Sequence, residues 1–438
     1  MSVPAAAQPP VAAVPFNIGE SDDSLERMVE LFSQLGDTFQ VHSPLRKANV
    51  WVINHPDDVK RVLVGNHRNY TKGLGFDRVR ILLGTGIIAS EGEFWRKQRL
   101  LMQPFFHRKV LTRFAEVIAA ANDRRLARWQ QLAAAGELIN VTDETSEMTL
   151  EIVLETLFGT DLERLVRETG DNPFLMVTRE PARDLRFAFR FRGLAKVVQG
   201  ILDHRRKHPA EHFDYVAMLM ESRDKETGEG MNDRELIDEV LTLIVAGHET
   251  TASALNSTWY LLAKNPTAEA KLHAELDAAP EWSAPSLTEM ESLQYTHNVC
   301  DESLRLYPPG WLISRRAIEP DELGGFALPA GTDVLLSPYL LHRHPAYWHE
   351  PEAFRPERFD AEHEAERPRF AYMPFAAGPR HCIGETLAMY EMLMHFYKFA
   401  RVFRLELTTD APISFEAQVN LRTRDPLFMR PVRRGTRA

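Results

Sequence analysis

The chain has 438 residues, 44% of them apolar and 26% charged, the proportions of an ordinary globular protein long enough to enclose a cofactor. Its 62 acidic against 52 basic residues leave a net charge of −10, which excludes the basic surface that nucleic-acid binding requires. Two cysteines, Cys300 and Cys382, exclude a disulfide framework, a four-cysteine zinc site and a Cys-x-x-Cys-His haem attachment, and fit a reducing, cytoplasmic setting.

Residues 1–20 are rich in Ala and Pro at their start, with no basic n-region and no long apolar run. They predict a flexible leader, not a signal peptide, ahead of a single domain over 21–438. Helical periodicity dominates from 24 to 306. It is interrupted at 38–42 and 50–54, where Val, Phe and Ile predict a hairpin. A solvated turn is expected at 224–232, followed by a long helix over residues 233–264. From 308 to about 374 the density of Pro and Gly predicts an irregular region with short strands such as 332–336. An amphipathic helix over 383–399 and short strands over 402–432 close the chain. No window reaches the ~18 apolar residues of a membrane helix, so no membrane anchor is expected. The fold class is mainly α with a small β-rich region.

The most informative stretch is Phe-Ala-Ala-Gly-Pro-Arg-His-Cys-Ile-Gly at 375–384. Cys382 falls after a Gly- and Pro-rich loop and before a helix, where unpaired N–H groups and the helix dipole favour thiolate over thiol. Gly378 and Gly384 let backbone approach a flat ligand without a Cβ in the way. A lone cysteine packs more often as a small hydrophobe; Phe375, Gly378, Arg380 and Gly384 at fixed offsets reverse that preference. The decamer resembles the haem-binding signature of the cytochrome P-450 family, Phe-x-x-Gly-x-Arg-x-Cys-x-Gly, whose cysteine thiolate is the axial ligand of the haem iron. The position after the Phe, often Gly in that family, is Ala376 here. The resemblance implies the P-450 fold, with haem b (iron protoporphyrin IX) between a long central helix and the cysteine loop.

Residues 246–251 read Ala-Gly-His-Glu-Thr-Thr inside a strongly apolar helix. Gly in mid-helix costs ~1 kcal/mol relative to Ala, and threonine hydroxyls that bond back to the preceding turn loosen it further. On the residues alone, a kinked core helix with its carboxylate in solvent fits as well as a groove beside a ligand. The segment matches the family's Ala-Gly-x-(Asp/Glu)-Thr-(Thr/Ser) pattern. By that resemblance Thr250 hydrogen-bonds bound O2, Glu249 relays protons and Gly247 leaves room for O2, while His248 and Thr251 are structural. Such chemistry needs protons delivered in a mostly dry pocket, with the thiolate donating electron density from the other face.

Glu302 and Arg305 are three apart on one helix and can pair. In the family such a pair meets an arginine from a Pro-Glu-Arg-Phe loop, which implies Arg358 as the third member of a structural lock on the cysteine loop. Arginine suits this because its planar fork holds a carboxylate with two bonds and stays charged when buried. Haem propionates need cationic or N–H donors. Trp95 and Arg99 match the family's Trp-x-x-x-Arg motif for that role, Arg380 is a third donor, and Arg315, or its neighbour Arg316, a fourth. A basic cluster of Arg96, Lys97, Arg99, His107, Arg108 and Lys109 offers either a solvated face or a surface that steers an acidic electron carrier.

The reading is a soluble haem-thiolate monooxygenase that inserts one atom of O2 into a lipophilic small molecule of fatty acid, terpenoid or steroid type. No dinucleotide fingerprint or flavin domain is present, so electrons are expected from a separate partner, a ferredoxin with its reductase or a flavodoxin. Leu243, Ala246 and the stretch 74–88 are expected to line the substrate pocket. The alternative is a haem-binding gas sensor or carrier, which would not need Glu249 or Thr250.

Overall fold

A computed structural model describes residues 8–179, 185–364 and 367–435. It is mainly helical with small sheets. The helices used below are α1 (Phe76–Leu83), α2 (Gly92–Met102), α3 (Val141–Phe158), α4 (Leu185–Lys207), α5 (Asp233–Lys264), α6 (Gln294–Leu306) and α7 (Glu385–Phe399). The strands are β1 (Thr38–Ser43), β2 (Ala48–Ile53), β3 (Tyr70–Lys72), β4 (Ile313–Ala317), β5 (Asp333–Leu336), β6 (Phe403–Leu407) and β7 (Phe428–Arg433). Among the described residues no helix is long and apolar enough to cross a membrane.

The described residues divide into two compact units built from discontinuous stretches. The first holds the described parts of Met1–Gly75, Asn298–Cys382 and Pro412–Asp425; the second holds those of Phe76–His297, Ile383–Ala411 and Pro426–Ala438.

The first unit is organised by a five-stranded sheet of order β1-β2-β5-β4-β3. The expected hairpin is present, with Thr38 opposite Ile53 and Ser43 opposite Ala48. β2 runs parallel to β5, placing Trp51 opposite Val334, and β4 lies antiparallel between β5 and β3. Alternate residues feed two cores, as a two-residue side-chain period requires. Phe39, Val41, Val50, Val52 and Leu335 pack with Trp311 on one side. Trp51, Ile53, Val334 and Leu336 pack with Tyr70 on the other. A sheet buried on both faces explains why its strands read as continuous apolar runs.

The flexible leader expected over 1–20 is corrected for its described part. Gln40 N–H donates to Pro10 O at 2.8 Å, Ala12 N–H to Gln40 O at 2.8 Å, and Phe16 N–H to His42 O at 3.1 Å. Ala12, Phe16 and Ile18 enter the core. An open strand edge carries polar backbone groups that must find partners, and residues 10–16 supply them to β1. Residues 1–7 lie outside the described set.

In the second unit α5 has the limits its sequence predicts. A reciprocal capping box of Asn232 and Glu235 starts it, and Asn265-Pro266 follows its last residue. α3 lies against it, with Thr145 Oγ1 donating to Asn256 Oδ1 at 2.8 Å and Thr149 Oγ1 to His248 O at 3.1 Å. α7 begins at Glu385, two residues later than expected. Its core face joins Trp129 and Trp259, whose indole N–H donates to His395 Nε2 at 2.8 Å. β6 and β7 pair antiparallel beside it.

Candidate functional site

The cysteine loop belongs to the first unit. Cys382 N–H donates to Phe375 O at 3.0 Å, closing the loop on itself. Cys382 is exposed, whereas Cys300 is buried and its thiol is pushed well above the usual range by that burial. Gly378 has φ +72°, and a Cβ there would meet Leu63 O at 2.0 Å, so no other residue fits. Ala376, where the family often has Gly, sits at φ 61°. A left-handed backbone costs an L-residue roughly 1–2 kcal/mol, so this loop carries strain that something must hold.

The same unit contains a buried arginine–carboxylate cluster. Glu302 and Arg305 are each 0% exposed. Arg305 Nε donates to Glu302 Oε2 at 2.7 Å and Nη2 to Oε1 at 2.9 Å. Its remaining N–H groups reach the carbonyls of His342, Pro351 and Ala353 at 2.8, 2.7 and 3.1 Å, so all five donors are used. Arg358 Nε donates to Glu302 Oε1 at 3.2 Å. The structure therefore brings the three expected lock residues together.

His342 connects this lock to the cysteine loop, and sequence reasoning missed it. Its Nε2 accepts the Met373 N–H at 2.9 Å, two residues before Phe375, while Nδ1 lies 3.3 Å from Arg305 O. A neutral ring with its proton on Nδ1 satisfies both. Complete burial, reinforced by Arg305, holds its pKa down to about 3. The partners are distant in sequence, so the local pattern carried no signal for it.

Arg315 and Arg316 alternate on β4. Arg316 forks onto Asp333 of β5 at 2.9 and 2.8 Å; Arg315 lies on the opposite strand face and is buried. Arg380 is half-buried two residues before Cys382.

The remaining site residues lie in the second unit. On α2, Trp95 and Arg99 share one face and both are half-buried. Of the basic cluster, Lys97 pairs with Glu229 at 3.0 Å, Arg96 with Glu93 at 3.4 Å, and Arg108 forks onto Glu291. Internal carboxylates thus neutralise much of it. On α5 every residue from 251 to 262 is buried, but Leu243, Ala246, Gly247 and Thr250 are half-buried along one face. Glu249 is half-buried beside them. Thr250 Oγ1 donates back to Ala246 O at 2.9 Å, the loosening its type predicts. His248 faces α3, its Nε2 3.1 Å from Ser146 Oγ. A Cβ on Gly247 would meet Val153 Cγ2 at 2.8 Å, so close packing against α3 gives this glycine a structural reason of its own.

Comparison with known proteins decides the family. The cytochrome P450 family model matches residues 8–429. The chain belongs to the cytochrome P450 family. Cyclooctatin synthase of Streptomyces melanosporofaciens is 35% identical over 399 residues, covering 87% of this chain and 86% of that protein. Cyclooctat-9-en-7-ol 5-monooxygenase of the same organism is 33% identical, covering 84% and 83%. The crystal structure of a cytochrome P450DA heme domain superposes with a TM-score of 0.86 at 23% identity, covering 95% of this chain and 93% of that one. A cytochrome P450 monooxygenase binds haem through a cysteine thiolate, takes O2 and electrons from a redox partner, and acts on lipophilic substrates. Each unit by itself carries residues of the kinds that cofactor needs: the first an exposed cysteine on a tied loop with an arginine beside it in sequence, the second an indole, an arginine and a half-buried helix face that includes Ala246 and Gly247.

Proposed function

We propose that the chain is a cytochrome P450 monooxygenase that hydroxylates a terpenoid-type hydrocarbon or alkenol, with haem b held by the Cys382 thiolate. The observation that carries this reading is the cysteine loop, strained at Ala376 and tied through His342 to a fully buried Glu302–Arg305 pair. Trp95, Arg99, Arg315 and Arg380 hold the two propionates; the fork of Arg316 onto Asp333 favours Arg315 for this task. When bound, the haem supplies the iron at which O2 is activated, with electron density donated by the sulfur.

The chain's own residues manage the protons. With the haem bound, Thr250 Oγ1 would turn from the Ala246 carbonyl to donate into the O2 site, and Glu249 would pass it a proton taken from solvent. Gly247 keeps that part of α5 free of a side chain. Leu243, Ala246 and the stretch 74–88 form the chamber wall. A relative that acts on cyclooctat-9-en-7-ol, by its name, supports an apolar skeleton with a single hydroxyl as substrate. Electrons come from a ferredoxin with its reductase, or a flavodoxin, in a cytoplasmic setting.

The test is a spectral-shift titration of the haem-loaded protein with terpenoid alkenols beside fatty acids of similar length. Terpenoid alkenols are expected to displace the iron's water at lower concentration; a preference for fatty acids would overturn the substrate class.

A further inference from the structure

Asp238 lies on α5, three turns before Thr250, and is 1% exposed. A carboxylate removed from water in this way needs donors around it. Its Oδ2 accepts the Thr85 N–H at 2.8 Å and the Thr85 hydroxyl at 3.1 Å, and its Oδ1 accepts from Arg192 Nη1 on α4 at 2.9 Å. The neighbouring Glu239, equally buried, accepts the Ile87 N–H at 2.9 Å. Residues 84–87 lie flat on α5 only because two of them are glycine. A Cβ on Gly84, at φ +63°, would come within 2.2 Å of the Asp238 carboxylate, and one on Gly86 within 2.0 Å of Thr242 Oγ1.

One carboxylate therefore fixes two separate pieces of the second unit, the loop 84–87 and α4, to one point on α5. Both attachments have a wet side: the Arg192 side chain is 34% exposed, so water can replace its bond from the outer side, and Thr85 is itself exposed.

We propose that Asp238 is a latch coupling the loop 84–87 to α4, so that both leave α5 together when a bulky ligand enters or departs. The ligand part of this rests on the reading above that the stretch 74–88 forms the chamber wall. When Arg192 lets go, Asp238 keeps only uncharged donors in a buried place, and its hold on Thr85 weakens. Coupling of this kind is reciprocal, so loosening Thr85 must also loosen α4. Thr85, Arg192 and Asp238 are in this sense positioning residues that set which ligand sizes pass.

The haem-loaded full chain is compared with Arg192→Gln, Thr85→Val and the conservative Arg192→Lys. Backbone hydrogen exchange is read at Ile87, whose acceptor Glu239 no variant alters, and along α4. Exchange at Ile87 is expected to rise about tenfold in Arg192→Gln, and on α4 by a similar factor in Thr85→Val, with Arg192→Lys close to the parent. Stopped-flow binding of imidazole should be unchanged in all of them, while an imidazole bearing a large aryl group should bind several-fold faster in Arg192→Gln. If Arg192→Gln leaves Ile87 exchange as in the parent, the latch is refuted. If exchange is coupled but the bulky imidazole binds no faster, the size gate and the chamber-wall reading fail.

Discussion

Two arginine–carboxylate systems, one in each unit, use the same groups to different ends. Glu302 and Arg305 are both closed off from water, and every N–H of the guanidinium has an acceptor. Asp238 is as deeply buried, but its arginine is one-third exposed. A pair enclosed at both ends cannot open without disrupting the structure around it, because each partner would be left charged and dry. A pair with one wet end opens at lower cost, because the released arginine is hydrated and only the buried carboxylate is left short of a donor. We propose the first as a lock for the cysteine loop and the second as a latch on the loop 84–87.

The comparison is broken most strongly at the lock. Arg305→Ala should cost about 3–5 kcal/mol of stability and most haem retention, because it strands a buried carboxylate. Denaturant unfolding and the haem-to-protein ratio measure both, and a loss under about 1 kcal/mol would put the pair in the class of ordinary surface bridges.

His342→Ala tests whether the lock reaches the cysteine loop. Leaving the Met373 N–H and Arg305 carbonyl without their partner should cost about 1–3 kcal/mol. The pH dependence gives a second reading. The folded ring stays neutral down to about pH 3, while an unfolded histidine takes up a proton near pH 6.5. Its stabilisation is complete above about 6.5 and is lost as pH falls from there towards 3. His395, held down to about 3 by burial, acts in the same direction. The slope of stability against pH in that window should be shallower in the His342 variant by one proton, about 1.4 kcal/mol per pH unit. An unchanged slope would mean that the ring is not neutral in the fold.

Ala376→Gly sharpens the picture from the other side. Relieving a left-handed alanine should raise stability by about 1 kcal/mol, less the extra freedom glycine gains when unfolded. A destabilised variant would show that the loop is not strained there.

Thr250→Ala should move stability least, within about 0.5 kcal/mol, yet separate electron consumption from product formation. Product per electron pair should fall several-fold while reductant is still consumed. An unaltered yield would remove Thr250 from the proton path.

Much of this was legible in the residues because it is local. The capping box at Asn232 and the Asn265-Pro266 stop delimit α5. The hairpin shows in its apolar runs, and the cysteine loop in its fixed offsets. What the sequence hid is what distance brings together. His342 meets a backbone amide 31 residues away, and Asp238 meets Thr85 across 153. No window contains either pair. The early Ala- and Pro-rich stretch misled because composition describes a segment alone, not the strand edge it covers. Gly247 read as room for a ligand, and Val153 on α3 supplies a second reason that only packing reveals.

The central claim, that the Cys382 sulfur binds the haem iron, has a direct spectroscopic test. The reduced protein exposed to carbon monoxide should show the red-shifted Soret band of thiolate ligation, and Cys382→Ser should lose it. A band of the imidazole-ligated type in the unaltered protein, or a Soret band in Cys382→Ser matching the parent's, would contradict the account.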